Sequence, residues 1–446
     1  MARPSHHAND TRSSFKNPWP SAQPPSWSEL AQGGFPLAWA HPNLRAHPHA
    51  RDVKIVKPDW GRDSDSADPV REGKGKGKDI IGTWLGHACA FVEMPWTGKA
   101  ADGNEETVKL LFDPIFSSRA GPTQFTGPSR ITPAPCQVGD LPGCDAVFIS
   151  HNHYDHLDLS TIQTLLKVFP STHFFVPLGL KSWFTSIGVP EAQVDELDWW
   201  AEVDLTSKDF GKVAPDAVPE TRSAISKLRI TCVPAQHNSG RGARDQGSTL
   251  WCGWVLEHLV TSEPGKGEIA AMKRVTRMGS LFFAGTVTLA IGDTAIVRKS
   301  VPPSKVRNLL LLVWIVLLTS RAEIGAKFGP FDLSFIPIWR GGTLGFISWT
   351  GLRLSHETVP SNYHGTPSDA VSIHLDVKSK NSIGIHFGTF IGAEAESLEA
   401  VIGLKEACED AGLRDLDDGG EGPHGRMGVL DQGKSWRVKV EELIVF

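Results

Sequence analysis

Three histidines and an aspartate fall within six residues of this chain, His151-Asn152-His153-Tyr154-Asp155-His156. They follow directly on the short apolar run that opens at Ala146 and closes at Ser150. Such groups are seldom buried unless they are paired or hold a cation. A fold that accepts them must therefore end a strand at Ser150 and turn the next residues out at a sheet edge. Imidazole and carboxylate both suit zinc and other first-row divalent ions. A tight loop at a strand end can aim His151 and His153 at one ion. Asp155 and His156, one turn later, can then serve a second ion nearby.

The surrounding pattern supplies the sheets that such a loop needs. Short apolar or alternating runs predict strands at 80–87, 88–93, 108–112, 146–150, 172–176, 228–233, 250–256, 280–284, 333–336 and 382–386. Helical spacing is expected at 159–168, 181–187, 369–378 and 393–411. Strands and helices alternate, which defines an α/β class. With 446 residues, the chain reads as a flexible segment over 1–50, rich in Pro, Ser, His and Asn at its start, followed by one long domain over 51–446. Residues 62–79 read as a charged, Gly-rich loop, and its Lys74, Lys76 and Lys78 as solvated. No internal repeat of short fixed period is visible.

Composition narrows the function. Lys and Arg number 45 against 50 for Asp and Glu, a net charge of −5, which leaves no electrostatic footprint for nucleic acid. The six cysteines form no CxxC pair, so reduced, buried thiols are expected rather than a disulfide framework. Residues 1–16 lack an apolar stretch and are no secretory signal; Arg3, Arg12 and Lys16 leave a mitochondrial presequence open, while Asp10 argues against it. The run Leu309–Leu318, ten apolar residues, is half of what a spanning helix needs. The expected location is the cytoplasm or a membrane periphery.

Two ions need further donors. His237 closes Pro234-Ala235-Gln236-His237 after one predicted strand, and His386 lies at the end of another, in Gly384-Ile385-His386-Phe387-Gly388. Either alone would read as an ordinary loop histidine. Their repeated placement at strand ends, beside the first cluster, makes them ligand candidates. Asp293, in Gly292-Asp293-Thr294, could bridge both ions, since a carboxylate neutralises charge and holds their spacing. His6, His7, His41, His47 and His49 have no strand context and read as incidental solvated residues.

HxHxDH followed by a later His, Asp and His resembles the metallo-β-lactamase superfamily. The resemblance is closer to one branch, the N-acylphosphatidylethanolamine-hydrolysing phospholipase D family. It is carried in family order over roughly 50–405 by Thr83-Trp84-Leu85-Gly86-His87-Ala88, Phe112-Asp113-Pro114-Ile115-Phe116-Ser117, the 150–158 segment, Phe175-Val176-Pro177-Leu178-Gly179, Pro234-Ala235-Gln236-His237, Phe282-Phe283-Ala284-Gly285 and Ile385-His386-Phe387-Gly388-Thr389-Phe390. The resemblance implies a four-layer αββα sandwich with two Zn²⁺ at one edge of the sheets. It implies His151, His153 and His237 on one zinc, Asp155, His156 and His386 on the other, and Asp293 between them. It also places His364, just before Pro367-Ser368-Asp369-Ala370-Val371, near the substrate phosphate. Asp155 and His364 are then the catalytic candidates.

The implied reaction is hydrolysis of a phosphodiester, releasing N-acylethanolamine and phosphatidic acid from a two-tailed lipid. The partner is therefore a phospholipid at a membrane surface, and a homodimer stays open. Trp19, Trp27, Trp39 and the 339–349 region are candidates for lipid contact. One interval departs from the family pattern. After Phe282-Phe283-Ala284-Gly285 the family continues at once with Asp-Thr-Gly-Tyr, whereas this chain inserts residues 286–292 before Asp293-Thr294-Ala295-Ile296. Residues 286–322, which include the apolar run, read as an atypical insertion of the kind a splice-site error in the gene model would leave. Two other readings share the residues: a lactonase or soluble phosphodiesterase of the same fold, and a metal-binding homologue without turnover.

Overall fold

The computed structural model describes residues 3–19, 22, 37–39, 43–62, 79–99, 105–210, 225–262, 274–285, 320–339, 352–354, 364–390, 394–418 and 422–445. Its strands are, in chain order, β1 (Leu37–Trp39), β2 (Asp79–Gly86), β3 (Cys89–Lys99), β4 (Glu105–Phe112), β5 (Ala146–Phe148), β6 (His173–Pro177), β7 (Val194–Leu197), β8 (Glu202–Thr206), β9 (Ile225–Val233), β10 (Gly253–Ser262), β11 (Arg274–Phe283), β12 (Leu333–Pro337), β13 (Leu352–Leu354), β14 (Asn381–Ile385), β15 (Arg426–Gly428), β16 (Ser435–Lys439) and β17 (Leu443–Val445). The α-helices are α1 (Leu159–Val168), α2 (Lys181–Ser186), α3 (Ser320–Lys327), α4 (Pro367–Asp376) and α5 (Glu394–Asp410).

Fourteen of the strands form two seven-strand runs. The first is ordered β16-β2-β3-β4-β5-β6-β7 and the second β15-β14-β12-β11-β10-β9-β8, with β17 added beside β11. Three antiparallel pairs and then three parallel pairs make up the first run read from β16. Read from β8, the second run shows the same succession. The two halves are thus alike in strand pairing, although no repeat is visible in the sequence. Parallel pairing requires crossovers, and all of them carry an α-helix except β4 to β5, whose connection holds only a 3-10 turn at Val138–Asp140.

Period-2 alternation decides which side chains meet. Along β4, Val108, Leu110 and Phe112 face the second sheet, while Leu111 faces the other way. Between the sheets, Phe112 stacks on Phe148 and on Phe283, with ring centroids 4.8 and 4.7 Å apart. A Cβ at Gly82 would stand 2.7 Å from Leu333 Cδ2, so the sheets close on each other there because a side chain is missing. The outer face of the first sheet is covered by α1 and α2 through Ile162, Leu165 and Phe184. The second is covered by α3, α4 and α5 through Ile324, Ile373 and Leu404. The architecture is the expected αββα sandwich. All six cysteines are buried and unpaired, and burial pushes the Cys89, Cys136 and Cys408 thiols up to about 12.

The N-terminal expectation needs correction. Residues 3–19 are packed against the domain: His6 and His7 are buried, and Phe15 donates its backbone N–H to Gly247 at 2.7 Å. The lack of strand context suggested solvated histidines, but His6 stacks on Trp199 at 4.2 Å and both histidines reach Asp198. His47 and His49 lie near Glu406 and Glu409 of α5. Residues 63–78 (with the three lysines), His41, Trp27 and residues 286–319 lie outside the described residues. Residues 320–322 begin α3. Among the described residues no helix is long and apolar enough to cross a membrane.

Two buried histidines outside the strand-end loops give the fold a pH dependence. His258 stacks on Trp96 at 4.9 Å and lies 2.6 Å from Ser226 Oγ; burial pushes its pKa down to about 4. His374 donates from Nε2 to the His424 carbonyl at 2.8 Å, and burial likewise brings it to about 4. Both are neutral when folded, whereas an unfolded histidine takes a proton near pH 6.5. The unfolded state then binds more protons, so stability falls as pH drops from about 6.5 towards 4, by up to about 3 kcal/mol per histidine. Urea midpoints measured across that window should fall, and less steeply in His258→Phe, whose ring keeps the stack on Trp96. A flat profile would contradict the buried neutral state.

Candidate metal centre

Several strands of both sheets end on one edge, and the turns and loops that follow them carry the polar cluster. His87 sits in the tight turn from β2 to β3, with φ of 50° after Gly86 at 101°. Asp113 follows β4, the HxHxDH loop follows β5, His237 follows β9 and His386 follows β14. The HxHxDH loop leads into α1, whose first turn is capped by Asp158 accepting from Thr161 N at 3.0 Å and Ser117 Oγ at 2.6 Å. Arg241 fastens that loop from outside. Its Nε donates to the Asn152 carbonyl at 2.6 Å, its Nη2 to the Leu157 carbonyl, and its guanidinium lies 4.5 Å over Tyr154.

Two donor groups result. His151, His153 and His237 form one; His87, Asp155, His156 and His386 form the other. In the first, His151 Nε2 lies 2.9 Å from His153 Nδ1 and 3.1 Å from His237 Nε2. In the second, His156 Nε2 lies 3.1 Å from His386 Nε2, and His87 Nε2 lies 2.9 Å from Asp155 Oδ2. His364, just ahead of α4, stands between the groups: its ring centroid is 5.4 Å from that of His237 and 5.3 Å from that of His386. Asp293 lies outside the described residues. The structure therefore brings together every other site residue expected from sequence.

Tautomers follow from Asp113, which is fully buried and lay in a segment that carried the resemblance without being read as a site residue. Its carboxylate can only accept. Oδ2 takes a bond from His156 Nδ1 at 2.7 Å, so His156 Nε2 carries a lone pair. It also takes the Ser150 hydroxyl proton at 2.6 Å. Ser150 Oγ must then accept from His151 Nδ1, 2.9 Å away, which leaves the His151 Nε2 lone pair facing the cluster. One carboxylate thus sets a donor in each group, the outer-shell arrangement typical of metal-binding histidines.

Charge agrees with cation binding. Burial, then the neighbouring imidazoles, hold His151 and His386 well below the usual histidine range. Burial also brings His364 down to about 4. Burial alone would raise Asp155, but His156 and then His87 outweigh it and hold its carboxyl well below the usual range. Burial opposes the charged form of His156, but Asp155 and then Asp113 raise it above the usual histidine range, so it is the rings of His151 and His386 that are held neutral. A borderline divalent cation satisfies such a donor set.

His87 was missed as a site residue, although it lay in a segment that carried the resemblance. Its signal was a histidine in a two-residue turn between two apolar runs. The backbone around it is fixed at three points: its N–H donates to Thr389 Oγ1 at 2.7 Å, and its carbonyl accepts from Trp84 Nε1 and His386 N, both at 2.8 Å.

Two stacked mixed sheets with a His/Asp edge define a metallo-hydrolase of the β-lactamase superfamily, and a model described as the beta-lactamase superfamily domain matches residues 109–275. The N-acyl-phosphatidylethanolamine-hydrolyzing phospholipase D 1 of Caenorhabditis elegans is 30% identical over 334 residues, covering 74% of this chain and 70% of that protein. The mitochondrial N-acyl-phosphatidylethanolamine-hydrolyzing phospholipase D of Saccharomyces cerevisiae is 24% identical over 409 residues, 87% of this chain and 67% of the relative. Among solved structures, the metallo-hydrolase Igni18 of Ignicoccus hospitalis aligns with a TM-score of 0.43 at 14% identity, covering 80% of this chain and 98% of that one. The chain belongs to the N-acylphosphatidylethanolamine-hydrolysing phospholipase D family and is a metal-dependent hydrolase.

Proposed function

We propose that the protein is a zinc-dependent phosphodiesterase that splits N-acylphosphatidylethanolamine into N-acylethanolamine and phosphatidic acid. The observation that carries this reading is His364, set between two donor groups in a member of this family. His151, His153 and His237 would hold one zinc, and Asp155, His156 and His386 the other, with His87 close enough to hold Asp155 by an N–H bond. Two such ions would supply Lewis acidity, polarising a phosphoryl oxygen and lowering the pKa of a water to near neutral pH.

The chain's own groups do the rest. Asp155 remains ionised and offers negative charge where the cations gather. His364, neutral at working pH, can orient a phosphoryl oxygen through a ring N–H. The buried Asp113–His156 pair keeps the second group in register. Trp39, 71% exposed, and Phe125, 92% exposed, offer rings of the kind that settle at a lipid–water boundary. The mitochondrial yeast relative makes the mitochondrion one compartment in which to look for the protein.

The test is hydrolysis of N-acylphosphatidylethanolamine in mixed micelles, with zinc counted on the same sample. Release of N-acylethanolamine with about two zinc per chain is the expected result. Two zinc without release would move the substrate to another ester of the same fold class. One zinc or none, without turnover, would mean that the chain binds lipid or metal without catalysis.

A further inference from the structure

His237 lies beyond β9, whose last ladder pair joins Val233 to Gly253, at the start of the loop that runs to Gly247. The N-terminal segment reaches its peptide from the side. Asn17 donates from Nδ2 to the His237 carbonyl at 2.7 Å and accepts at Oδ1 from the His237 N–H at 3.2 Å. One side-chain amide thus engages both backbone polar groups of a cation donor, as a neighbouring strand would.

Asn17 is itself held from several sides. Upstream, His6 Nε2 reaches Asp198 Oδ1 at 2.7 Å and His7 Nε2 reaches Oδ2 at 2.9 Å. Trp19 stacks on Trp199 at 5.4 Å, on the residue next to Asp198. Phe15 is buried, and its carbonyl would lie 2.8 Å from a Cβ at Gly247, so backbone meets backbone where Gly247 turns with φ of 68°. Gly247 in turn donates to the Ser239 carbonyl at 2.9 Å, closing the loop that begins at His237.

We propose that Asn17 is a positioning residue for His237, and that the N-terminal segment is a working part of the first cation site. This rests on reading His151, His153 and His237 as cation donors. His237 Nε2 stands 3.1 Å from His151 Nε2 and 3.4 Å from His153 Nδ1, and holding that spacing before the cation arrives removes an ordering cost from binding. Outer-shell partners of this kind are worth about 10–100-fold in metal affinity.

The experiment compares the full chain with Asn17→Ala and Asn17→Asp, both loaded with zinc. Zinc release to a chromogenic chelator is followed alongside hydrogen exchange at the His237 amide. His386→Ala, which weakens the other donor group, assigns the release phases. In Asn17→Ala one phase, that of the His237 group, should accelerate about 10–100-fold while the other holds. The His237 amide should lose protection. Asn17→Asp keeps the acceptor but sets a carboxylate against the His237 carbonyl, so its release should be accelerated while the amide stays protected. Equal acceleration of both phases, together with a lowered melting temperature, would reduce Asn17 to a fold contact and overturn the inference. Unchanged release would overturn it as well. A parent chain that takes up no zinc would sink the cation-site reading itself, a failure distinct from the other two.

Discussion

His151→Ala is expected to lower turnover of N-acylphosphatidylethanolamine by at least about a thousandfold. The His151 Nε2 lone pair faces His153 and His237, and its orientation is set through Ser150 by Asp113. Removing the ring leaves a two-donor site. A cation contributes several kcal/mol of charge stabilisation in the transition state, and about 4 kcal/mol corresponds to three powers of ten in rate. Zinc content should fall from about two towards one per chain, because the donors of the second group are untouched. Rates in mixed micelles and metal analysis on one preparation check both statements. A variant that keeps its rate and its metal would remove His151 from the site.

Asp113→Asn is the more discriminating change, because it alters no candidate ligand. The carboxylate accepts from Ser150 N at 2.7 Å, from Ser150 Oγ at 2.6 Å and from His156 Nδ1 at 2.7 Å. An amide of the same shape must turn its NH₂ towards at least one of these donors. If it faces His156, that ring has to move its proton to Nε2, where the lone pair was needed. Metal affinity should fall about 10–100-fold, and a stranded buried donor should cost about 1–3 kcal/mol of stability. Zinc titration against a competing chelator and a urea melt measure the two effects separately. Unaltered zinc affinity would show that Asp113 serves the fold alone.

The sheets were legible because their strands are short apolar runs cut by polar turns, and the expected helix over 159–168 matches α1 residue for residue. Strands with exposed or charged positions, such as β7 (Val-Asp-Glu-Leu) and β8 (Glu-Val-Asp-Leu-Thr), left no such mark. Their place is set by pairing with β6 and β9, which sequence reading along the chain does not see. The HxHxDH loop was legible because its donors are consecutive. His87, Asp113 and Asn17 were not recognised as site residues because each is a single polar residue brought to the edge from a distant element. The N-terminal segment misled for the same reason: Pro, Ser, His and Asn resemble an unstructured stretch, yet His6, His7 and Phe15 are buried by partners near 198 and 247.

The meeting of both sheets at one edge has a consequence for synthesis of the protein. The second donor group needs His87 from an early turn and His386 from a late one. A chain still on the ribosome can fold its first sheet only in part, since β16 is among the last strands made. Until His386 has emerged, the nascent polypeptide offers an incomplete coordination sphere. Cation uptake by the second group therefore waits for β14, and prematurely terminated products that stop short of it lack one of that group's donors.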